Sequence, residues 1–114
     1  MSRRSDRVSL VDMLIYAKEA VALSSETNLD DVKKDRVMQL ALQKLVEIVG
    51  EAGNRVSEDA QRNYTEIPWP QIIGLRNRLV HGYDDVNLEI LWKIIQNDLP
   101  PLIEQLQPVV GEDT

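Results

Sequence analysis

The stretch GLRNRLVHGY, residues 74–83, is the part of the sequence around which the rest of the chain is organised. It contains the one histidine of the 114-residue chain, His81, with Arg76 five positions before it and Tyr83 two positions after it. Prolines precede the stretch, Gly82 stands near its end, and two aspartates follow. This pattern predicts a short helix whose carboxyl end carries polar side chains suited to phosphate chemistry.

The spacing within this helix limits which side chains can act together. On a regular helix Arg76 and His81 are about 140° apart around the axis, so they do not share a face. Asn77 and His81 do share one, because they stand at positions i and i+4. For Arg76 and His81 to act on one phosphate, the last turn must distort near Gly82, or two copies must meet. A two-fold dimer would set two such helix ends side by side in one cleft.

Length and composition favour one helical domain in a reducing compartment. A chain of 114 residues predicts a single domain, residues 1–114, with an ordered core over about 6–110. There is no Phe, and aromatic residues make up 4%, so a core of aliphatic side chains, typical of helix packing, is expected. Cysteine is absent, which excludes disulfides and thiolate metal sites. No apolar run is long enough to cross a membrane and no signal-peptide pattern is present, so we expect a cytoplasmic protein.

The net charge of −6 restricts how the chain could bind nucleic acid. An acidic surface repels phosphates over most of its area. Any contact with RNA must therefore come from a local basic patch, and Arg76 with Arg78 is the obvious candidate. The alternative is that these arginines pair with the surplus aspartates and glutamates.

Apolar residues recur at helical spacing along the chain, and no useful segment alternates with period two. The sequence therefore predicts an all-α, antiparallel bundle of four to five helices. Ile72, Leu75 and Leu79 should form the buried stripe of the third helix, and Asn87 should cap the fourth. Pro100 with Pro101 should kink or break that helix. The predicted segments are a first helix over 6–23, a helical turn over 29–34, a long helix over 35–56, a third helix beginning near 68–70, and a fourth beginning near 87.

Details of the first two helices are also predicted. Ser5 or Ser9 should start the first helix, and Thr27 should begin a second capping box. The main apolar stripe of the long helix is formed by Val37, Leu40, Ala41, Leu45, Ile48, Val49, Ala52 and Val56. A second apolar face, formed by Met38, Leu42 and Val46, predicts a further partner and suggests a homodimer. Gly50 and Gly53 either permit close approach of another helix or are simply tolerated.

Two linked segments carry a family resemblance. IPWPQIIGLRNRLVHGY, residues 67–83, followed by LEILWKIIQNDLPPLIEQL, residues 88–106, resembles the HepT-like branch of the HEPN superfamily, which comprises small helical ribonucleases and toxins. The family signature R-x4-H-x-Y is matched by Arg76, His81 and Tyr83. Asn77 matches the polar residue that often follows the family arginine. The resemblance covers about residues 6–106.

This resemblance implies a metal-independent endoribonuclease, the toxin of a type VII toxin–antitoxin pair, with its site at a dimer interface. His81 suits transfer of the ribose 2′-OH proton, and Arg76 suits stabilisation of phosphate charge. Asn77 would orient the phosphate or the histidine ring, and no cofactor or metal is expected. The implied partner is a minimal nucleotidyltransferase antitoxin, which transfers AMP onto Tyr83.

A different class of function fits part of the same evidence. The chain could be a non-catalytic HEPN module that binds a minimal nucleotidyltransferase as a scaffold or substrate-positioning subunit. The acidic net charge favours this alternative, whereas the intact set of Arg76, Asn77, His81 and Tyr83 favours the nuclease. In such a module His81 would complement a helix dipole, and Tyr83 would pack over the helix end.

Overall fold

Helices make up nearly all of the regular structure in the computed structural model, which describes residues 3–79 and 86–111. The described part of the chain contains no β-strand. A π-helical turn (Ile94–Asp98) joins the last two helices without a break. In chain order the helices are α1 (Arg3–Ser24), α2 (Leu29–Val32), α3 (Arg36–Arg55), α4 (Glu58–Asn63), α5 (Trp69–Ile73), α6 (Leu75–Leu79), α7 (Leu88–Lys93) and α8 (Leu99–Val110).

The helices form four long arms: α1, α3, α5 with α6, and α7 with the π-turn and α8. The first arm, α1, packs most extensively on α3 and α8, and α3 also contacts α5 and α6. Arg7 Nη2 donates to Val110 O at 3.3 Å, which joins the start of the first arm to the end of the last. Asp6 near the start of α1 accepts from Ser57 N just after the end of α3, Gly53 faces Ile72 while Gly50 faces Leu75, and Asn87 N donates to Leu79 O between the last two arms. Successive arms therefore run in opposite directions. The predicted all-α antiparallel bundle is confirmed.

Side-chain caps explain where several helices begin. Asn28, Asp35, Ser57 and Asn87 each accept a hydrogen bond from a backbone N–H three residues later. The predicted cap at Asn87 is confirmed. The cap of α2, however, is Asn28, one residue after the predicted Thr27, because the Asn28 side chain accepts from Asp31 N at 2.9 Å.

The predicted start of α1 was wrong. The helix already includes Arg3, so neither Ser5 nor Ser9 opens it. Ser9 is buried within the helix. The capping-box pattern at Ser9 therefore falls where the backbone already has its helical partners.

The face that α3 buries matches the predicted main stripe only in part. Val49, Ala52 and Val56 are buried as predicted, but the start of the stripe is not. Leu42 and Val46, assigned to an outer second face, are completely buried in the core. Val37 is 78% exposed and Leu40 is 47% exposed. Apolar residues surround most of this helix, so the choice of inner face depends on which side other helices can approach most closely.

Gly50 and Gly53 determine which face of α3 is turned inward, because they allow the closest approach of another helix. A Cβ on Gly53 would lie 2.6 Å from Ile72 Cγ2, and one on Gly50 would lie 3.4 Å from Leu75 Cβ. The α5–α6 arm therefore packs directly on the glycine face, so the structure supports close approach over mere tolerance. Ile72, Leu75 and Leu79 are all buried, as predicted.

We expect Gly53→Ala to lower the free energy of unfolding by about 1 kcal/mol. Overpacking costs about 1–3 kcal/mol, which outweighs the gain of about 1 kcal/mol in helix propensity. Urea unfolding of the parent and the variant measures the difference. Gly50→Ala is the matched control, because its new Cβ meets only ordinary contacts. It should leave stability unchanged or raise it by up to about 1 kcal/mol. Equal shifts for the two variants would contradict this packing account.

The last arm continues through its two prolines, so the break that was one of the two predicted outcomes does not occur. The chain passes from α7 through the π-turn into α8, and Leu99 N donates to Ile94 O five residues earlier. Pro100 and Pro101 then occupy the first turn of α8. Pro100 and Pro101 have no backbone N–H to donate. The irregular hydrogen bonds of the preceding π-turn accommodate this lack, so the helix continues through this region.

Candidate active site

The signature arginine sits on a short helix held between two buried leucines. Gly74 ends α5, and its N–H donates to the carbonyls of Pro70 and Ile72. The following helix, α6, has five residues, and Leu75 and Leu79 at its ends are fully buried. The three polar residues between these leucines therefore turn outward, and Arg76, Asn77 and Arg78 are all exposed.

Arg76 and Asn77 present exposed polar groups at the surface of α6. Neither side chain makes a hydrogen bond or ion pair within residues 3–79 and 86–111. An exposed guanidinium offers a planar set of donors to the oxygens of a phosphate. The side of α6 that carries Arg76 and Asn77 is thus chemically suited to bind an anion.

Arg78 has a different environment from Arg76. Its Nη1 lies 2.8 Å from Asp98 Oδ2, in an ion pair that joins α6 to the π-turn. The sequence left two roles open for Arg78: contact with RNA, or pairing with an acidic side chain. The structure shows pairing with an acidic side chain. Direct contact of Arg78 with RNA stays a prediction, and its charge is already balanced in this structure.

The predictions about His81 and Tyr83 concern residues outside the described part of the chain. The residues that flank this segment are joined to one another, because Asn87 N donates to Leu79 O at 3.1 Å. Asn87 also caps α7, since its Oδ1 accepts from Ile90 N at 3.0 Å. The hydrogen bond between Asn87 and Leu79 therefore connects the start of α7 to the end of α6. The relation of Arg76 to His81, and the roles of His81 and Tyr83, stay predictions.

A polar cleft of about 740 Å³ opens at the other end of the bundle, between the start of α1, α4 and the end of α8. Asp6 lines this cleft, and its carboxylate accepts hydrogen bonds from Ser57 N and Ser57 Oγ, both at 2.8 Å. Those bonds tie α1 to the cap of α4. The cleft is separate from Arg76 and Asn77, and none of the predicted site residues lines it.

Asp98 was missed by the sequence reasoning, although a signal for it exists. It stands seven residues after buried Leu91, so on a regular helix the two would lie within about 20° of each other. A carboxylate on an apolar stripe conflicts with that regular geometry. Such a conflict beside a Pro-Pro pair indicates an irregular turn.

The structure also bears on metal binding and on membrane insertion. Within the described ranges, no group of three or more His, Cys, Asp or Glu side chains is arranged to hold a metal ion. None of the described helices has the length and apolar character needed to cross a membrane.

Comparison with known proteins places the chain in a family. The family described as "Ribonuclease HepT-like" matches residues 13–109. The chain belongs to the HepT-like ribonuclease family. That membership confirms the resemblance seen in the signature segment and the predicted enzyme class, a ribonuclease.

Individual relatives agree with this membership. A protein of Methanocaldococcus jannaschii with RNase in its name is 31% identical over 117 residues, which cover 99% of this chain and 97% of the relative. A protein of Thermococcus cleftensis, named for ribonuclease HepT, is 31% identical over 100 residues, covering 88% of this chain and 91% of the relative. No solved structure gives a significant match.

Proposed function

We propose that this HepT-like protein is a metal-independent endoribonuclease that acts in the cytoplasm as the toxin of a toxin–antitoxin pair. The observation that carries the proposal is the exposed guanidinium of Arg76, which has no partner among residues 3–79 and 86–111 and lies beside Asn77 on α6, in a chain of the HepT-like ribonuclease family. The names of the relatives agree with RNA as the substrate.

The chemistry needs one proton acceptor and one cation. His81 takes the proton from a ribose 2′-OH, because an imidazole exchanges protons near neutral pH. The 2′-oxygen then attacks the adjacent phosphate to form a 2′,3′-cyclic phosphate. The bond to the 5′-oxygen of the next nucleotide breaks, and that oxygen takes up a proton from water and leaves as a hydroxyl. Arg76 stabilises the charge on the phosphate oxygens, and Asn77 orients the phosphate or the imidazole ring.

The proposal is tested by incubating the purified protein with single-stranded RNA in the presence of a metal chelator. We expect cleavage to continue at the rate seen with magnesium, because neither proposed step uses a metal. Cleavage that requires added divalent metal would contradict the mechanism. Absence of cleavage under both conditions would favour a non-catalytic module.

The non-catalytic alternative is favoured by specific observations. The net charge is −6, and the Arg78 guanidinium is paired with Asp98, which reduces the basic surface around Arg76. In this alternative the chain binds a minimal nucleotidyltransferase as a scaffold or substrate-positioning subunit. A complex with such an enzyme, formed by a protein that leaves RNA intact, would support it.

The proposed toxin is neutralised by a partner. We propose that a minimal nucleotidyltransferase transfers AMP onto Tyr83, two positions after His81 in the sequence. The phenol oxygen attacks the α-phosphate of ATP, pyrophosphate leaves, and the partner supplies the base. The bound adenylate adds negative charge and bulk close in sequence to the proposed catalytic histidine.

A homodimer would bring two sites together, but two of the three residues predicted to form its surface are not accessible. Leu42 and Val46 are buried within a single copy. The exposed apolar residues of α3 are Val37 and Leu40, in its first turns. This end of α3 is near the contact between α2 and α7, the helix that follows the signature segment. We propose that these two residues contribute to the dimer interface.

We expect Val37→Glu combined with Leu40→Glu to convert the dimer to a monomer, because two charges would be buried in an apolar contact. Light scattering at micromolar concentration measures the mass. Val8→Glu is the control, since Val8 is also exposed but lies at the opposite end of the bundle. A monomeric parent, or a dimer that survives the double substitution, would contradict the proposed interface.

A further inference from the structure

The Arg78–Asp98 ion pair differs from the other ion pairs of the described residues in its burial. Its two side chains are 39% and 23% exposed, and Nη1 lies 2.8 Å from Oδ2. The Lys33–Glu89 and Arg62–Asp59 pairs are both more exposed. Charges that are partly shielded from solvent are less weakened by salt and water. This pair is therefore better placed than the others to fix the orientation of a helix.

The π-turn brings Asp98 to the position where it meets Arg78. On a regular helix Asp98 would lie on the buried side, near the line of Leu91. One extra residue in a turn rotates the following part of the helix by about 100°. Leu99 and Leu102 are then buried, while Asp98 stays at the edge of the apolar face, partly exposed.

The helix that Asp98 contacts has few internal restraints. It spans the five residues Leu75–Leu79, too short to be stable by its own backbone hydrogen bonds. Buried Leu75 and Leu79 hold its inner side, and the bond from Asn87 N holds its end. The ion pair adds a directional contact on its outer side, two residues from Arg76.

We propose that Asp98 is a positioning residue: its ion pair with Arg78 fixes the rotation of α6 and thereby aims the Arg76 guanidinium at the RNA phosphate. This inference rests on the proposed ribonuclease function. It assigns Arg78 to holding the helix rather than to holding RNA. π-helical turns often occur at functional sites, and this one presents the carboxylate that makes the contact.

Replacement of Asp98 by asparagine separates positioning from simple stability. Asp98→Asn keeps the shape of the side chain but removes its charge. We expect kcat to fall about tenfold, since small displacements of a positioned group can cost up to about 10²-fold. KM should not rise, because the released Arg78 adds a cation near the RNA. A purely structural role would leave kcat per folded molecule unchanged.

The charge-swapped variant Arg78→Asp with Asp98→Arg tests whether the pair itself matters. It restores an ion pair of reversed polarity, so kcat at saturating RNA should recover to within about twofold of the parent. KM should rise, because α6 then carries an acid. Asp59→Asn is the matched control, since it removes the charge of an exposed pair on α4. Parent-like kcat in Asp98→Asn, or no recovery in the swap, would overturn the inference.

Hydrogen exchange distinguishes failure of this inference from failure of the ribonuclease assignment. Backbone amides of α6 should exchange faster in Asp98→Asn than in the parent, and Asp59→Asn should leave them unchanged. That readout requires no activity. If α6 exchange rises but no form of the protein cleaves RNA, the proposed function fails and the helix contact stands. If α6 exchange does not change, the positioning role fails.

Discussion

Replacement of Arg76 or of His81 by alanine is expected to reduce RNA cleavage by about 10²–10⁴-fold while the helical fold is kept. Arg76 is exposed and makes no hydrogen bond or ion pair among the described residues, so the folded state loses little when it is truncated. The transition state, in contrast, loses the cation that balances the phosphate oxygens. Truncation of His81 removes the proposed proton acceptor. Single-turnover cleavage of a labelled RNA measures the effect, and far-UV circular dichroism reports the fold.

The matched control for Arg76 is Arg62→Ala. Arg62 is also exposed, but it lies on α4 beside the polar cleft and pairs with Asp59. It carries the same charge, and its loss should leave the cleavage rate unchanged. Full activity in a folded Arg76→Ala or His81→Ala protein would remove that residue from the mechanism. Equal losses in Arg62→Ala and Arg76→Ala would instead indicate a general charge effect.

AMP transfer to Tyr83 is expected to reduce cleavage to the level of the Arg76→Ala protein. Each adenylate adds a phosphodiester charge and a purine. The added phosphate can pair with Arg76 and occupy the position meant for the RNA phosphate. Inhibition then follows from charge and volume at the site, and no change of fold is needed. Intact-mass analysis after incubation with the partner nucleotidyltransferase and ATP measures the modification, and a cleavage assay follows.

The controls use two of the three tyrosines of the chain, Tyr83 and Tyr16. Tyr83→Phe should gain no adenylate and should stay active after incubation, whereas Tyr16→Phe should be modified and silenced like the parent. Tyr16 is a half-buried residue of α1 that packs against the core. If Tyr83→Phe is modified and silenced as the parent is, Tyr83 is not the switch.

The helical class and most of the arms could be predicted because local signals agreed with the tertiary packing. Ile72, Leu75 and Leu79 recur at helical spacing, and the structure buries all three. Asn87 is followed by an apolar helix, and it caps that helix. Where a local sequence pattern is compatible with only one helix face or one cap, burial and capping can both be predicted from it.

The inner face of α3 could be predicted only in part from apolar periodicity, since Val49 and Ala52 of the predicted stripe are buried but its first members are exposed. Its apolar residues surround the axis, so the pattern alone does not select one side. The side is selected by Gly50 and Gly53, which let α5 and α6 approach. Because this side faces inward, Val37 and Leu40 are exposed and Leu42 and Val46 are buried. The proposed dimer surface therefore includes Val37 and Leu40 instead of Leu42 and Val46.

A second limit on prediction from sequence comes from contacts between residues that are far apart in the chain, as in the last arm and at the site. Pro100 and Pro101 indicate a break when considered locally, but the preceding π-turn accommodates them. The pairing of Arg78 depends on Asp98, twenty residues later. The outward orientation of Arg76, in contrast, follows directly from its place between Leu75 and Leu79. The roles of His81 and Tyr83 rest on the signature and the family.

The chemistry of the RNA ends left by the parent protein in the presence of a metal chelator tests the central claim most directly. Attack by the ribose 2′-oxygen predicts fragments with a 2′,3′-cyclic phosphate at one end and a 5′-hydroxyl at the other. The same ends should be missing from reactions with His81→Ala. Fragments with a 3′-hydroxyl and a 5′-phosphate, or cleavage that begins only when divalent metal is added, would contradict the account.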